Sequence, residues 1–147
     1  MIWVVNSDTT TCHIYQYQKK PPKLTLWKKI KHPEIKLKKS EYLTTDKPGR
    51  YKVKGLGSGG SFSQRTDPKE VEIDNFAREI ARELNRDRAM NKYQKLIIIM
   101  PPHLNGLFFR HLDKNVENVI SSNIQKDYQH LTQKKLLNLL QTETKYL

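Results

Sequence analysis

The spacing of apolar positions changes character along the chain, and each change marks an element. Ile2-Trp3-Val4-Val5 is a short continuous apolar run that predicts a buried strand. Cys12 to Tyr17 alternates instead, with Cys12 and Ile14 on one side and His13 and Tyr15 on the other. Asn6-Ser7-Asp8-Thr9 supplies turn formers between the two, so they pair as a hairpin. A third strand follows Lys19-Lys20-Pro21-Pro22, with Leu24, Leu26 and Lys28 predicted to face one way and Thr25 and Trp27 the other. From Lys31 to Arg65 no period is sustained. A helix then opens at Asp67, where the carboxylate can accept from first-turn amides, Pro68 suits the first helical position and Glu70 completes a capping-box-like arrangement. Ile73, Phe76, Ala77, Ile80, Ala81 and Leu84 follow at helical spacing and define its core face.

Leu96-Ile97-Ile98-Ile99-Met100, stopped by Pro101-Pro102, does not alternate, which predicts a central strand covered on both faces. A short helix over 104–112, a strand over 119–124 and a last helix over 132–141 complete the pattern. The order of three antiparallel strands, a long loop at about 31–66, then α-β-α-β-α predicts a mixed α/β sheet with helices packed on it. The RNase H-like arrangement is one known solution of that order. No internal repeat interrupts it, and 147 residues suit a single domain over 1–147.

Charge changes the picture. The chain carries 27 Lys and Arg against 15 Asp and Glu, a net +12, which favours polyanionic partners, nucleic acid before an anionic membrane surface. The excess is local: residues 19–54 hold thirteen Lys and Arg and three Asp and Glu, so +10 of the +12 lies there. A charge serving solubility alone would be spread more evenly. Cys12 is the single cysteine, so it forms no internal disulfide and has no cysteine partner for a zinc site. With no basic leader before Ile2 and no apolar run long enough to span a bilayer, a cytoplasmic location without membrane insertion is expected.

The run from Gly55 to Thr66 holds four of the six glycines and leads straight into the helix at Asp67. It reads either as a site where backbone approaches a partner closely or as a connector between packed layers. Gly55-x-Gly57-x-x-Gly60 matches the dinucleotide fingerprint in letters only, because no buried strand precedes it and the helix starts too late. No Lys-Ser/Thr pair follows the glycines, which removes a Walker-type loop. Arg78, Arg82 and Arg86 recur at every fourth position, yet Asp74, Glu79 and Glu83 stand three or four residues away and make a solvated, ion-paired face the better reading. The five histidines lack metal-ligand spacing, so neither a metal nor a cofactor is predicted. His130 reads as a cap or orienting residue for the last helix and His32 as a turn former. A triad of Ser61, His130 and Asp127 has no support in spacing. Metal-dependent nucleases of the RNase H-like class need converging carboxylates, whereas the first strand offers Asn6 and Asp8 and Leu96 to Met100 offers no acid.

Several separate motifs then stand in a familiar order: Ile2-Trp3-Val4-Val5-Asn6, His32-Pro33-Glu34, Leu43-Thr44-Thr45-Asp46-Lys47-Pro48-Gly49-Arg50, Thr66-Asp67-Pro68-Lys69-Glu70, Phe76-Ala77-Arg78-Glu79, Pro101-Pro102, Leu104 with Gly106-Leu107, and Lys126-Asp127 with His130-Leu131. Along nearly its whole length the chain resembles the bacterial host-attachment protein family. That family in turn looks like the middle domain of eukaryotic and archaeal class-I peptide release factors, whose Gly-Gly-Gln loop enters the peptidyl transferase centre of the ribosome. Here the loop reads Gly59-Gly60-Ser61, and Gln64 stands three residues too late to take the place of that glutamine. The resemblance implies an RNase H-like domain that presents a basic, glycine-rich loop to ribosomal RNA, without peptide-release catalysis. The residues expected to meet RNA are Lys36, Lys38, Lys39, Lys47, Arg50, Lys52, Lys54, Gly59, Gly60, Ser61, Gln64 and Arg65. The competing readings are a hydrolase acting on RNA or peptidyl-tRNA, and a protein-interaction factor with a role in attachment to host cells.

Overall fold

Residues 1–32 and 67–143 are described by the computed structural model of the chain. The opening apolar run extends to form β1 (Ile2–Ser7), which pairs antiparallel with β2 (Thr11–Gln18). Asn6 and Ser7 therefore belong to the strand, and the turn is tighter than the sequence predicts. Asp8 organises it by accepting from the amides of Thr10 and Thr11, both at 2.8 Å, and from the Thr10 hydroxyl. β3 (Lys23–Lys31) pairs antiparallel with β2 and takes in Lys31, which the sequence pattern places in the loop.

The expected alternation of β3 is corrected by a bulge. Lys28 lies opposite Ile14 and Leu26 opposite Tyr15, so Trp27 is an extra residue without a partner on β2. Before the bulge, Leu24 joins the core on one face of the sheet; after it, Lys28 and Ile30 turn to the other face. A period-2 reading assigns Leu24, Leu26 and Lys28 to one side because it has no room for the inserted residue.

α1 (Pro68–Ala89) begins where the sequence predicts. The Asp67 carboxylate accepts from the Lys69 amide at 3.0 Å, and Pro68 opens the first turn. Glu70 does not complete a capping box, because its carboxylate accepts from His103 Nε2 at 2.7 Å. Asp67→Ala is expected to lower stability by about 1 kcal/mol; a urea midpoint equal to that of the parent protein would show that the cap contributes nothing. The predicted ion-paired face is present, with Arg78 3.7 Å from Asp74 and Arg86 2.7 Å from Glu83.

β4 (Lys95–Ile99) runs parallel to β1 and lies between β1 and β5 (Ile120–Ile124), to which it is also parallel. The sheet order is β3-β2-β1-β4-β5. α2 (Pro102–Arg110) starts two residues before the predicted apolar spacing because Pro102 occupies its first turn, and the single turn α3 (Lys114–Glu117) is too short to show a period. α4 (Gln133–Glu143) follows Thr132, whose hydroxyl accepts from the Lys135 amide; His130 is not its cap.

The residues of β4 explain why no alternation marks it. Leu96, Ile98 and Met100 pack with Trp3, Val5, Phe76, Ile80 and Leu84 on the side of α1 and α2. Ile97 and Ile99 pack with Val4, Tyr15, Tyr17 and the α4 residues Leu136 and Leu140 on the opposite side. The result is a five-stranded mixed sheet with helices on both faces. Among the described residues no helix is long and apolar enough to cross a membrane.

Candidate functional site

β3 is an edge strand and carries Lys23, Lys28, Lys29 and Lys31. Of these, Lys28 is turned inward. Its ammonium donates to Glu83 at 2.7 Å and to the fully buried Asp87 at 2.9 Å, which ties the strand to α1. Partial burial works against its charge, yet the two carboxylate hydrogen bonds prevail and hold its pKa above the ordinary lysine value. Lys23, Lys29 and Lys31 are exposed. Between them the bulge pushes out Trp27, which is 47% exposed although its ring meets Trp3 at 6.3 Å. Leu26 beside it is 46% exposed. The edge strand therefore offers an exposed aromatic ring on the α1 side of the sheet and, on the opposite side next to His13, the cation of Lys29.

At the end of the sheet where β3 finishes, Asp8, Thr11, His13, Lys29, Asp127, Gln129 and His130 line a cleft of about 380 Å³. Three chain segments build it, and Gln129 joins them. Its Nε2 donates to the carbonyl of Asn6 at 3.0 Å and to that of Thr11 at 2.6 Å. Both amide hydrogens are thereby used, so the oxygen that meets His13 Nδ1 at 3.0 Å is an acceptor and Nδ1 carries the proton. In the neutral ring, Nε2 is then left with its lone pair. Burial pushes the His13 pKa below the usual imidazole value and Lys29 adds to this, while the Gln129 hydrogen bond and Asp8 oppose it. The imidazole is consequently a neutral hydrogen-bond acceptor at pH 7. Asp127 shapes the adjoining turn by accepting from the Gln129 amide, and Asn6, buried in β1, donates to the Tyr128 carbonyl.

His32 follows β3 at the same end of the sheet. His32, expected as a turn former, is buried: its amide donates to Thr10, its Nε2 donates to the Glu72 carbonyl of α1 at 2.8 Å, and its ring lies 4.8 Å from Phe76. It fastens the end of β3 to α1. The predicted RNA contacts Lys36, Lys38, Lys39, Lys47, Arg50, Lys52, Lys54, Gly59, Gly60, Ser61, Gln64 and Arg65 lie outside the described residues, as does the serine of the unsupported triad. His13, Gln129 and Lys29 were not among the residues singled out by sequence reasoning. A polar residue between two buried ones on β2 was the available signal for His13, and nothing local marks Gln129 as its partner 116 residues away. Among the described residues no group of three or more His, Cys, Asp or Glu is placed to hold a metal ion.

No curated protein matches the chain. A family model described as protein required for attachment to host cells matches residues 3–140, from the second residue of β1 into α4. That span takes in the edge strand, the cleft and, apart from Ile2, every motif on which the resemblance rests, and the chain belongs to this host-attachment family.

Proposed function

We propose that this member of the family is a non-catalytic RNA-binding protein that associates with the ribosome through its basic face. The carrying observation is Trp27, half-exposed on an edge strand that also carries the exposed Lys23, Lys29 and Lys31. An exposed aromatic ring and cations on one strand suit an unpaired nucleotide chain, since every base has a π-face and every phosphate a charge. Residues 33–54, which follow this strand in sequence, carry the rest of the local excess of Lys and Arg. The strand order β3-β2-β1-β4-β5, antiparallel in its first three strands and parallel from β1 onward, supports reading the fold as RNase H-like. Peptide release is outside this reading, because Ser61 stands where the release-factor loop has glutamine. The requirement for attachment to host cells would then be met indirectly, by acting on RNA rather than by touching the host.

Binding of a fluorescent single-stranded RNA across a salt series tests this. Three phosphates neutralised by Lys23, Lys29 and Lys31 give a slope of log K against log salt of at least about −2, and Lys29→Glu with Lys31→Glu flattens it by about 1.4. Trp27→Ala weakens binding by about 1–3 kcal/mol. Co-sedimentation with ribosomal subunits at low salt, lost in the same variants, extends the result to the partner. A flat salt slope in the parent protein overturns the reading.

A further inference from the structure

The cleft beside Lys29 differs in chemistry from the strand that leads to it. β3 offers cations, whereas the groups inside the cleft are mainly acceptors: the bare Nε2 of His13 and the carboxylates of Asp8 and Asp127. Two carboxylates repel a bare phosphate, so this space is not built for the polyanion itself. It suits a neutral group that presents an O–H or N–H donor. The space, about 380 Å³, is wide open to solvent, which suits one unit of an extended chain.

Resting on the RNA-binding reading above, we propose that this cleft reads the ribose of a bound RNA strand, with His13 Nε2 and Asp127 Oδ2 sharing the single proton of its 2′-hydroxyl while Lys29 holds the adjacent phosphate. In a nucleotide chain the hydroxyl and the phosphate are neighbours, so a cation exposed on β3 that also lines an acceptor-rich cleft matches that pairing. The hydroxyl is the group that separates RNA from DNA. The imidazole is prepared for this by geometry: Gln129, locked to the Asn6 and Thr11 carbonyls, fixes the tautomer that leaves Nε2 as an acceptor. Asp127 and Asp8 each spend one carboxylate oxygen, Oδ1, on backbone amides of their turns, which holds the side chains in place. His130 also lines the cleft.

The experiment compares affinities for a single-stranded RNA, its DNA counterpart and its 2′-O-methyl form at one salt concentration. The expected result is RNA bound about tenfold more tightly than either of the others, the worth of one good hydrogen bond to an ionised or strongly polar acceptor. His13→Ala brings the ratio close to one by weakening RNA binding alone. Asp127→Asn does the same while keeping the oxygen that accepts from Gln129, so it remains informative if His13→Ala disturbs the fold. Equal affinity of the parent protein for all three strands, or a ratio unchanged in both variants, overturns the ribose-reading site and leaves RNA binding through β3 standing. Absence of binding to any strand overturns the RNA-binding reading and this inference with it.

Discussion

Trp3→Ala is expected to lower the free energy of unfolding by about 3–5 kcal/mol, the usual consequence of emptying a large aromatic site in a packed core. Trp3 stands on β1, near the middle of the sheet, and is 1% exposed. Its indole stacks on Tyr93 with ring centroids 4.8 Å apart, and the Tyr93 hydroxyl donates to the Leu84 carbonyl of α1 at 2.7 Å. Removing the indole therefore opens a void at the junction of β1, α1 and the segment leading to β4. A typical domain has only about 5–15 kcal/mol of stability, so the variant would unfold at far lower urea. It also withdraws the support beneath Trp27, and RNA binding should fall even at temperatures where the variant is folded. A loss below about 1 kcal/mol would mean that the neighbouring side chains close the gap.

The second large effect belongs to alkaline pH. Cys12 is fully buried on β2, and that burial pushes its thiol pKa from 9.0 up to about 12; a hydrogen bond with Ser7 opposes the rise, and Asp8 and Glu79 add to it. In the unfolded chain the thiol ionises near its ordinary value, whereas in the folded protein it keeps its proton. Above pH 9 the unfolded state thus binds fewer protons than the native state, and stability falls as pH rises. The contribution is intact below pH 9 and is lost progressively up to about pH 12, amounting to about 4 kcal/mol over the whole interval. Cys12→Ala removes it. Urea midpoints measured from pH 8 to pH 11 should decline more steeply for the parent protein than for the variant, the tyrosine and lysine titrations being common to both. Parallel declines would show that the Cys12 thiolate is tolerated in the core. The same burial keeps the thiol unreactive toward alkylating reagents until the protein unfolds.

Residues close together in the chain carried most of the architecture. The β1–β2 hairpin, the cap at Asp67, the apolar face of α1 and the doubly covered strand β4 all follow from short-range patterns, because strand and helix periods are local consequences of backbone geometry. The ion-paired face of α1 was legible for the same reason, since its partners stand three or four residues apart. The basic character of β3 and of the segment beyond it could be counted directly.

Other features depended on which segments the fold brings together. The bulge at Trp27 is a mismatch in pairing between two strands, invisible in either one alone, yet it decides that this tryptophan meets Trp3 while staying half-exposed and that Lys28 turns inward to Asp87. Glu70 meets His103 instead of its own helix end, because α2 packs across the start of α1. The tautomer of His13 is set by an amide 116 positions later, which is itself held by carbonyls of β1 and β2. Periodicity, composition and caps are properties of neighbours in sequence and can be read without the fold. A cleft whose chemistry rests on one proton, held in place by groups from three separated segments, exists only once tertiary packing has brought those segments together.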